Sequence, residues 1–276
     1  MASQRTATLT GLAAILLWAS LAVLTTATGN LPPFQVLAVS FGIAALLGLA
    51  RAALRGAEGW RELRQPGAAL ALSTLALFGY HALYFIALKR APAVEANLLN
   101  YLWPLLIVVF AGLVGGVTVR AGQWAGTLLG LVAAALLVTR GHGLQVDRAH
   151  VPGYLAALGA AVIWAAYSVL NRRFADVPTA AITVACAGVS VLGAAVHLLF
   201  ERTVAPDATQ WLVLAVMGAG PVGAAFWLWD HGTKRGDIAL PRGQKMVSIL
   251  LFEDLLIVPL LALVVFMSPL PQEATG

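Results

Sequence analysis

AAILLWASLAVL, residues 13–24, returns at residues 159–170 as GAAVIWAAYSVL. The shift aligns Trp18 with Trp164, and fourteen residues beyond each tryptophan stands a proline, Pro32 and Pro178. Further on, ALKRAP (87–92) faces GTKRGD (232–237) at nearly the same offset. The unit is about 146 residues long. Whether the two copies lie the same way up depends on how many membrane spans one unit holds.

The chain has 276 residues, of which 60% are hydrophobic and only 11% charged. A soluble globular domain carries about a quarter charged residues, so this composition belongs to a membrane protein. A hydrocarbon core about 30 Å thick needs roughly 20 apolar residues as helix. Backbone groups cannot stay unpaired in lipid, so each run reads as a helix. The runs lie at about 8–28, 34–54, 67–88, 94–116, 122–140, 151–171, 178–200, 209–230 and 244–268. Breakers separate them: GNLPP, RGAEGWRELRQPG, KRAP, RAGQ, RGHGLQVDRAHVPG, DVP and ERTVAPDA. The first run is too long for the core of a cleaved signal peptide.

One unit therefore holds five spans. An odd number forces the second copy upside down. Inverted repeats are a transporter signature, with the solute site near the bilayer midplane between the halves. The expected fold is all-α and polytopic, two inverted five-helix repeats with about nine spans visible and the tenth missing. The expected units are residues 1–145 (first repeat), 146–240 (second, incomplete) and 241–276 (a divergent span and tail).

A net charge of +5 could suggest nucleic acid. Here the basic residues lie between apolar runs and set topology. With a cytoplasmic N-terminus, twelve of the 17 Lys and Arg residues fall on the inside, four of them (Arg51, Arg55, Arg61, Arg64) around the second joint. The expected location is the cell inner membrane. One cysteine, Cys186, excludes an intramolecular disulfide.

NLLNYLWPLL, residues 97–106, is unusually polar for a span. Polar side chains in a membrane are expensive and are best placed toward a cavity or a neighbouring helix. Helical positions three, four and seven apart share a face. Asn97, Asn100, Tyr101 and Pro104 form one such stripe, with Trp103 beside it. Tyr80, His81 and Tyr84 form another; Trp164, Tyr167, Ser168 and Asn171 a third; Trp18 and Thr25 a sparser fourth. Converging stripes would make an aromatic-walled cavity whose faces offer flat apolar area and attract cations. Asn amides and Tyr hydroxyls could hold a carboxylate or ammonium end. Pro104 denies a carbonyl in the preceding turn its donor, which suggests a hinge or an extra acceptor.

Blander readings stand beside these. Trp60, Trp124 and Trp211, at span ends, fit interface anchors. His81 could simply bond a neighbouring helix. Gly126 and Gly130, like Gly218 and Gly220, fit close helix packing. Lys89, Glu95 and Asp230 sit near span ends, where solvent reaches. No HExxH, CxxC, GxSxG or phosphate-binding glycine loop points to an enzyme. The five histidines are too scattered for a metal site, and no ring of acids suggests a channel filter. No cofactor is implied.

GLAAILLWASLAVL, GYLAALGAAVIWAAYSVLNRR and NYLWP resemble the drug/metabolite transporter superfamily, and within it the exporters of aromatic amino acids, over about residues 8–240. The resemblance implies about ten helices in two inverted halves, both termini cytoplasmic, alternating access, and export of aromatic and other neutral amino acids and of flat organic cations. It places Tyr80, Tyr84, Tyr101, Trp103 and Trp164 on the cavity wall. The stripes add Trp18, His81, Asn100 and Tyr167.

Beyond Leu240 the pattern departs. The offset of 145 that pairs ALKRAP with GTKRGD puts Ile249, not a proline, opposite Pro104. The last run, around LLFEDLLIVPLLAL, resembles a helix of the monovalent cation/proton antiporters. Adjacent Glu253 and Asp254 would be costly there if ionised, and protonation is the usual escape. Three explanations compete: a fusion near RGDIALP, a proton-coupling site at Glu253 or Asp254, or structural acids paired with a base such as Lys245. The rival functions are therefore a proton-linked monovalent cation antiporter and a non-transporting membrane scaffold.

Overall fold

The structure, a computed structural model, describes residues 2–113, 147–174 and 176–228, with positions 122 and 129. Its described helices are α1 (Ala2–Ala27), α2 (Pro33–Leu54), α3 (Gly56–Leu63), α4 (Gly67–Arg90), α5 (Ala93–Asn100), α6 (Trp103–Leu113), α7 (Val151–Leu170), α8 (Ile182–Phe200) and α9 (Ala208–Ala219). A π-helical turn, Gly220–Ala224, extends α9. Five of the described helical segments are long and apolar enough to cross a membrane: Pro33–Leu54, Gly67–Arg90, Val151–Leu170, Thr179–Phe200 and Ala208–Leu228. These match the expected runs closely. The runs at 122–140 and 244–268, with Glu253 and Asp254, lie outside the described residues.

Prolines open several helices, since a first-turn position needs no N–H. Pro33 begins α2 behind Pro32, and α4 and α5 follow Pro66 and Pro92. At the start of α9, Asp207 and Gln210 form a reciprocal capping box. Hydroxyls within the spans bond their own helix: Thr25 to Leu21 O (2.7 Å), Ser40 to Val36 O (2.7 Å) and Ser168 to Trp164 O (2.8 Å). Such back-bonds satisfy a polar group that lipid cannot.

Two helix pairs form the centre: α2 lies along α8, and α4 along α7. Phe41, Phe85, Leu37, Leu77 and Val189 from these helices, with Leu214 and Met217 from α9, are buried in one hydrophobic core. Outward faces carry exposed leucines and valines such as Leu46, Leu75, Leu155 and Val191, as a lipid-facing surface requires.

Close packing depends on small residues, as expected for Gly218. A Cβ built there would stand 2.6 Å from Ser40 O and 2.7 Å from Ile43 Cβ, both on α2. Backbone cannot give way as a side chain can. Gly218→Val is therefore expected to destabilise the fold by about 1–3 kcal/mol through overpacking, read as a lower melting temperature in detergent; an unchanged melt would refute the contact.

The structure corrects three expectations. The fourth run is not one helix: it breaks at Tyr101–Leu102, between α5 and α6. Pro104 has no N–H for the Asn100 carbonyl. The chain tightens instead, with Leu102 N on Leu99 O (3.2 Å). The second joint contains an unforeseen helix, α3. Gly56, with φ +61°, turns the chain into it, and Arg55 pairs with Glu58 (3.2 Å) and Glu62 (2.9 Å). Third, Glu95 does not stand in solvent, whereas Lys89 is only half-buried. Lys89 Nζ donates to Thr28 Oγ1 (2.8 Å) and Gly29 O (2.5 Å). Glu95 is buried and accepts from the Tyr154 hydroxyl on α7.

At the end of the bundle that holds Thr28, the early and late parts of the chain are bolted together. The Glu201 carboxylate accepts from Phe34 N and Gln35 N, each at 3.2 Å, at the N-terminus of α2. His197 bonds both Glu201 (2.8 Å) and Thr203 (2.9 Å). Gln35 exchanges two bonds with Val204, at 2.6 and 3.0 Å. Glu201→Ala removes a carboxylate from a helix N-terminus and is expected to cost about 1–2 kcal/mol, measured by the same melt.

Candidate functional site

A cavity of about 300 Å³ opens among α1, α4, the α5–α6 break, α7 and the segment after the π turn. Its walls are Trp18 and Leu21 from α1; Tyr80, His81 and Tyr84 from α4; Asn100, Tyr101, Trp103 and Ile107 around the break; Trp164 and Ser168 from α7; and Phe226. None of these is Lys, Arg, Asp or Glu.

Eight residues expected at the site are thus brought together: Trp18, Tyr80, His81, Tyr84, Asn100, Tyr101, Trp103 and Trp164. Tyr167 is not among the lining residues. Its ring packs behind Trp164 at 5.5 Å, and its hydroxyl lies 3.4 Å from Ser73 Oγ. The one-residue step from Tyr167 to Ser168 turns the face by about 100°, so Ser168 reaches the wall instead. Pro104 lies in the α6 backbone; its side chain is outside the described set.

The aromatic wall is a connected array. Tyr80 and Tyr84 stack nearly parallel, 5.7 Å apart at 7°. Tyr80 meets Trp164 at 5.0 Å, linking α4 to α7. Trp18 meets Phe226 edge-on at 5.6 Å and 70°. His81 is boxed by Phe41 (4.7 Å), Tyr80 (4.8 Å) and Phe85 (5.9 Å). Its Nδ1 lies 2.9 Å from Leu77 O. A carbonyl only accepts, so Nδ1 carries the proton, and the histidine bonds its own helix.

Two tyrosine–asparagine pairs join α4 to α5. Tyr84 donates to Asn97 Oδ1 (2.6 Å), and Asn97 Nδ2 donates to Ala93 O (2.8 Å). Asn97 is thereby turned from the cavity. The second pair runs the other way: Asn100 Nδ2 donates to the Tyr80 hydroxyl at 3.1 Å.

Leu21, Ile107 and Phe226 were missed. An isolated apolar residue in an apolar run carries no signal of its own. For Phe226 a signal existed: the shift that aligns Trp18 with Trp164 aligns Tyr80 with Phe226.

A helical bundle with lipid-facing flanks and an aromatic chamber whose described lining carries no charge is the build of a multi-pass membrane transporter. The chain belongs to the EamA-like transporter family, whose pattern matches residues 5–139. It is 46% identical over 239 residues to the aromatic amino acid exporter YddG of Ancylobacter novellus, covering 86% of this chain and 83% of that one. A solved crystal structure 43% identical to it superposes with a TM-score of 0.72, covering 97% of this chain and 91% of the other. A separate 42-residue match, 50% identical, is to a glutathione-regulated potassium-efflux system protein of Haemophilus influenzae, and spans 15% of this chain and 7% of that one.

Proposed function

We propose that the protein exports amino acids, aromatic and other neutral ones first, by alternating access through the aromatic cavity. The observation that carries this reading is the chamber of about 300 Å³, uncharged among its described lining residues and walled by Trp18, Tyr80, Tyr101, Trp103 and Trp164. A flat side chain stacks there with no charge to bury. Trp18, Tyr80, His81, Tyr84, Asn100, Tyr101, Trp103 and Trp164 contact the solute, Tyr167 backs Trp164, and Pro104 holds the break that acts as hinge. The protein sits in the inner membrane with its N-terminus inside.

Two inverted halves, residues 1–145 and 146–240, supply the motion. Supporting this, the 146-residue shift exchanges the pair Trp18–Phe226 with the pair Trp164–Tyr80. The same exchange relates the α4–α7 contact to the contact of α1 with α9 and its π turn, and maps the α2–α8 contact onto itself. The named exporter among the relatives points to the same substrate class.

The test is saturable efflux of labelled phenylalanine from proteoliposomes. Unlabelled Trp and Leu are expected to compete, and Glu and Lys to compete at least tenfold more weakly, since a charge in an uncharged chamber must be desolvated. Linear flux with no competition would refute the reading.

Proton-linked cation antiport is the second reading, favoured by the 42-residue match alone. Loss of Na⁺- or K⁺-driven proton flux in Glu253→Gln and Asp254→Asn would support it. A match to 7% of the potassium-efflux protein brings little of that protein's machinery, so amino-acid export ranks first.

A further inference from the structure

The two Tyr–Asn pairs beside the cavity are built alike and bonded oppositely. In the Tyr84–Asn97 pair the amide is used at both ends: Oδ1 accepts from Tyr84 and Nδ2 donates to Ala93 O. In the Tyr80–Asn100 pair Nδ2 is spent on the Tyr80 hydroxyl. That leaves Asn100 Oδ1 buried with no partner. Asn100 is 3% exposed and lines the chamber. Native proteins seldom leave such an oxygen unbonded, and each case needs an explanation. Pro104, four residues on, also withholds the helical donor from the main-chain carbonyl of the same residue. Tyr101, Trp103 and Trp164 line the same cavity, and aromatic ring faces favour a cation over an anion. No Lys or Arg lines the described wall to receive a carboxylate.

We infer that Asn100 Oδ1 is the anchor for the ammonium group of the transported amino acid, and that this end, not the carboxylate, is what the chamber recognises. This rests on the amino-acid export reading and sharpens it. The side chain stacks on the wall, the ammonium donates to Asn100, and the carboxylate keeps water. Tyr80 acts as the positioning residue: by taking the Nδ2 proton it fixes which end of the amide faces the solute.

Three probes separate the ends: L-phenylalanine, 2-phenylethylamine, which lacks the carboxylate, and 3-phenylpropionate, which lacks the ammonium. Binding is measured by calorimetry on the full chain in nanodiscs. The wild-type protein is expected to bind phenylethylamine within a few-fold of phenylalanine, and phenylpropionate about 10- to 100-fold more weakly, the value of a hydrogen bond to a charged group. Asn100→Leu is expected to weaken both amines by that factor and leave phenylpropionate unchanged. Asn100→Asp keeps an acceptor, adds a charge, and is expected to tighten both amines; it also answers any folding defect in the leucine variant. If phenylalanine binds the wild-type protein but Asn100→Leu leaves the ranking of the three probes intact and Asn100→Asp does not tighten the two amines, the anchor is wrong and the export reading stands. Preferential loss of phenylpropionate in Asn100→Leu would place the carboxylate at Asn100 and overturn the inference. If the wild-type protein binds none of the three, both fall together.

Discussion

Replacing Trp103 with alanine is expected to raise the half-saturation concentration for phenylalanine and tryptophan efflux about thirtyfold, and Trp164→Ala similarly. The chamber has no fixed charge among its described lining residues, so ring faces must provide most of its hold on a solute. Truncating an indole removes an aromatic contact worth about 0.5–1.5 kcal/mol beyond its area and the apolar burial that accompanied it. Together these come to roughly 2 kcal/mol, a factor near thirty. The loss should scale with the solute. Phenylalanine and tryptophan lose most, leucine less, and alanine changes by less than about threefold, because its methyl never reached the ring. Trp164→Ala has a second effect. Trp164 touches Tyr80 at 5.0 Å and backs onto Tyr167, so its removal also loosens α4 against α7. Trp103→Phe should recover most of the affinity if ring stacking is the cause. Proteoliposome efflux across a concentration series decides it. An unchanged half-saturation value in both alanine variants would remove the indoles from the solute path.

The spans were readable because lipid imposes a length and a composition that few other structures share. The tryptophans and tyrosines near mid-span were readable because interface anchoring explains residues at span ends better than residues inside them. What failed failed for local reasons. The stripe through Asn97, Asn100 and Tyr101 assumed that residues on one face share one role; Asn97 is taken up by Tyr84 and the Ala93 carbonyl, while Asn100 and Tyr101 line the cavity. Tyr167 and Ser168 differ by one step, and residue type favoured the wrong one. Helix α3 holds eight residues, three of them charged, and lies where hydropathy sees only a joint. Glu95 looked solvated because its partner, Tyr154, is 59 residues away, a distance no local pattern spans.

Fixing the bolted end shut is expected to stop transport altogether. The bonds there join residues before 145 to residues after it: Glu201 to Phe34 and Gln35, Val204 to Gln35, and Gln210 Nε2 to Thr28 O (3.1 Å) and Asn30 Oδ1 (3.0 Å). In the proposed orientation, with the N-terminus inside, this end faces outward. If each bond contributes about 0.5–1.5 kcal/mol net, the set biases the two-state equilibrium by several kcal/mol, and new contacts must offset it when the end opens. Alternating access requires that opening, whereas a static scaffold does not. Asn30→Cys with Gln210→Cys, in a Cys186→Ala background, places two thiols where the native side chains lie 3.0 Å apart. Cys186 is a buried cysteine within α8, so its replacement clears the background. Before cross-linking, the pair loses the Gln210 side-chain half of the capping box and its bonds to Thr28 and Asn30, about 0.5–1.5 kcal/mol each, while Asp207 still accepts from Gln210 N, and efflux should fall by only a few-fold. Joined by a short bis-methanethiosulfonate reagent, it should show efflux no faster than protein-free liposomes. Reduction should restore the earlier rate. Full efflux with the tether demonstrably closed would mean that this end never parts, and the two halves would then have to deliver solute by another route.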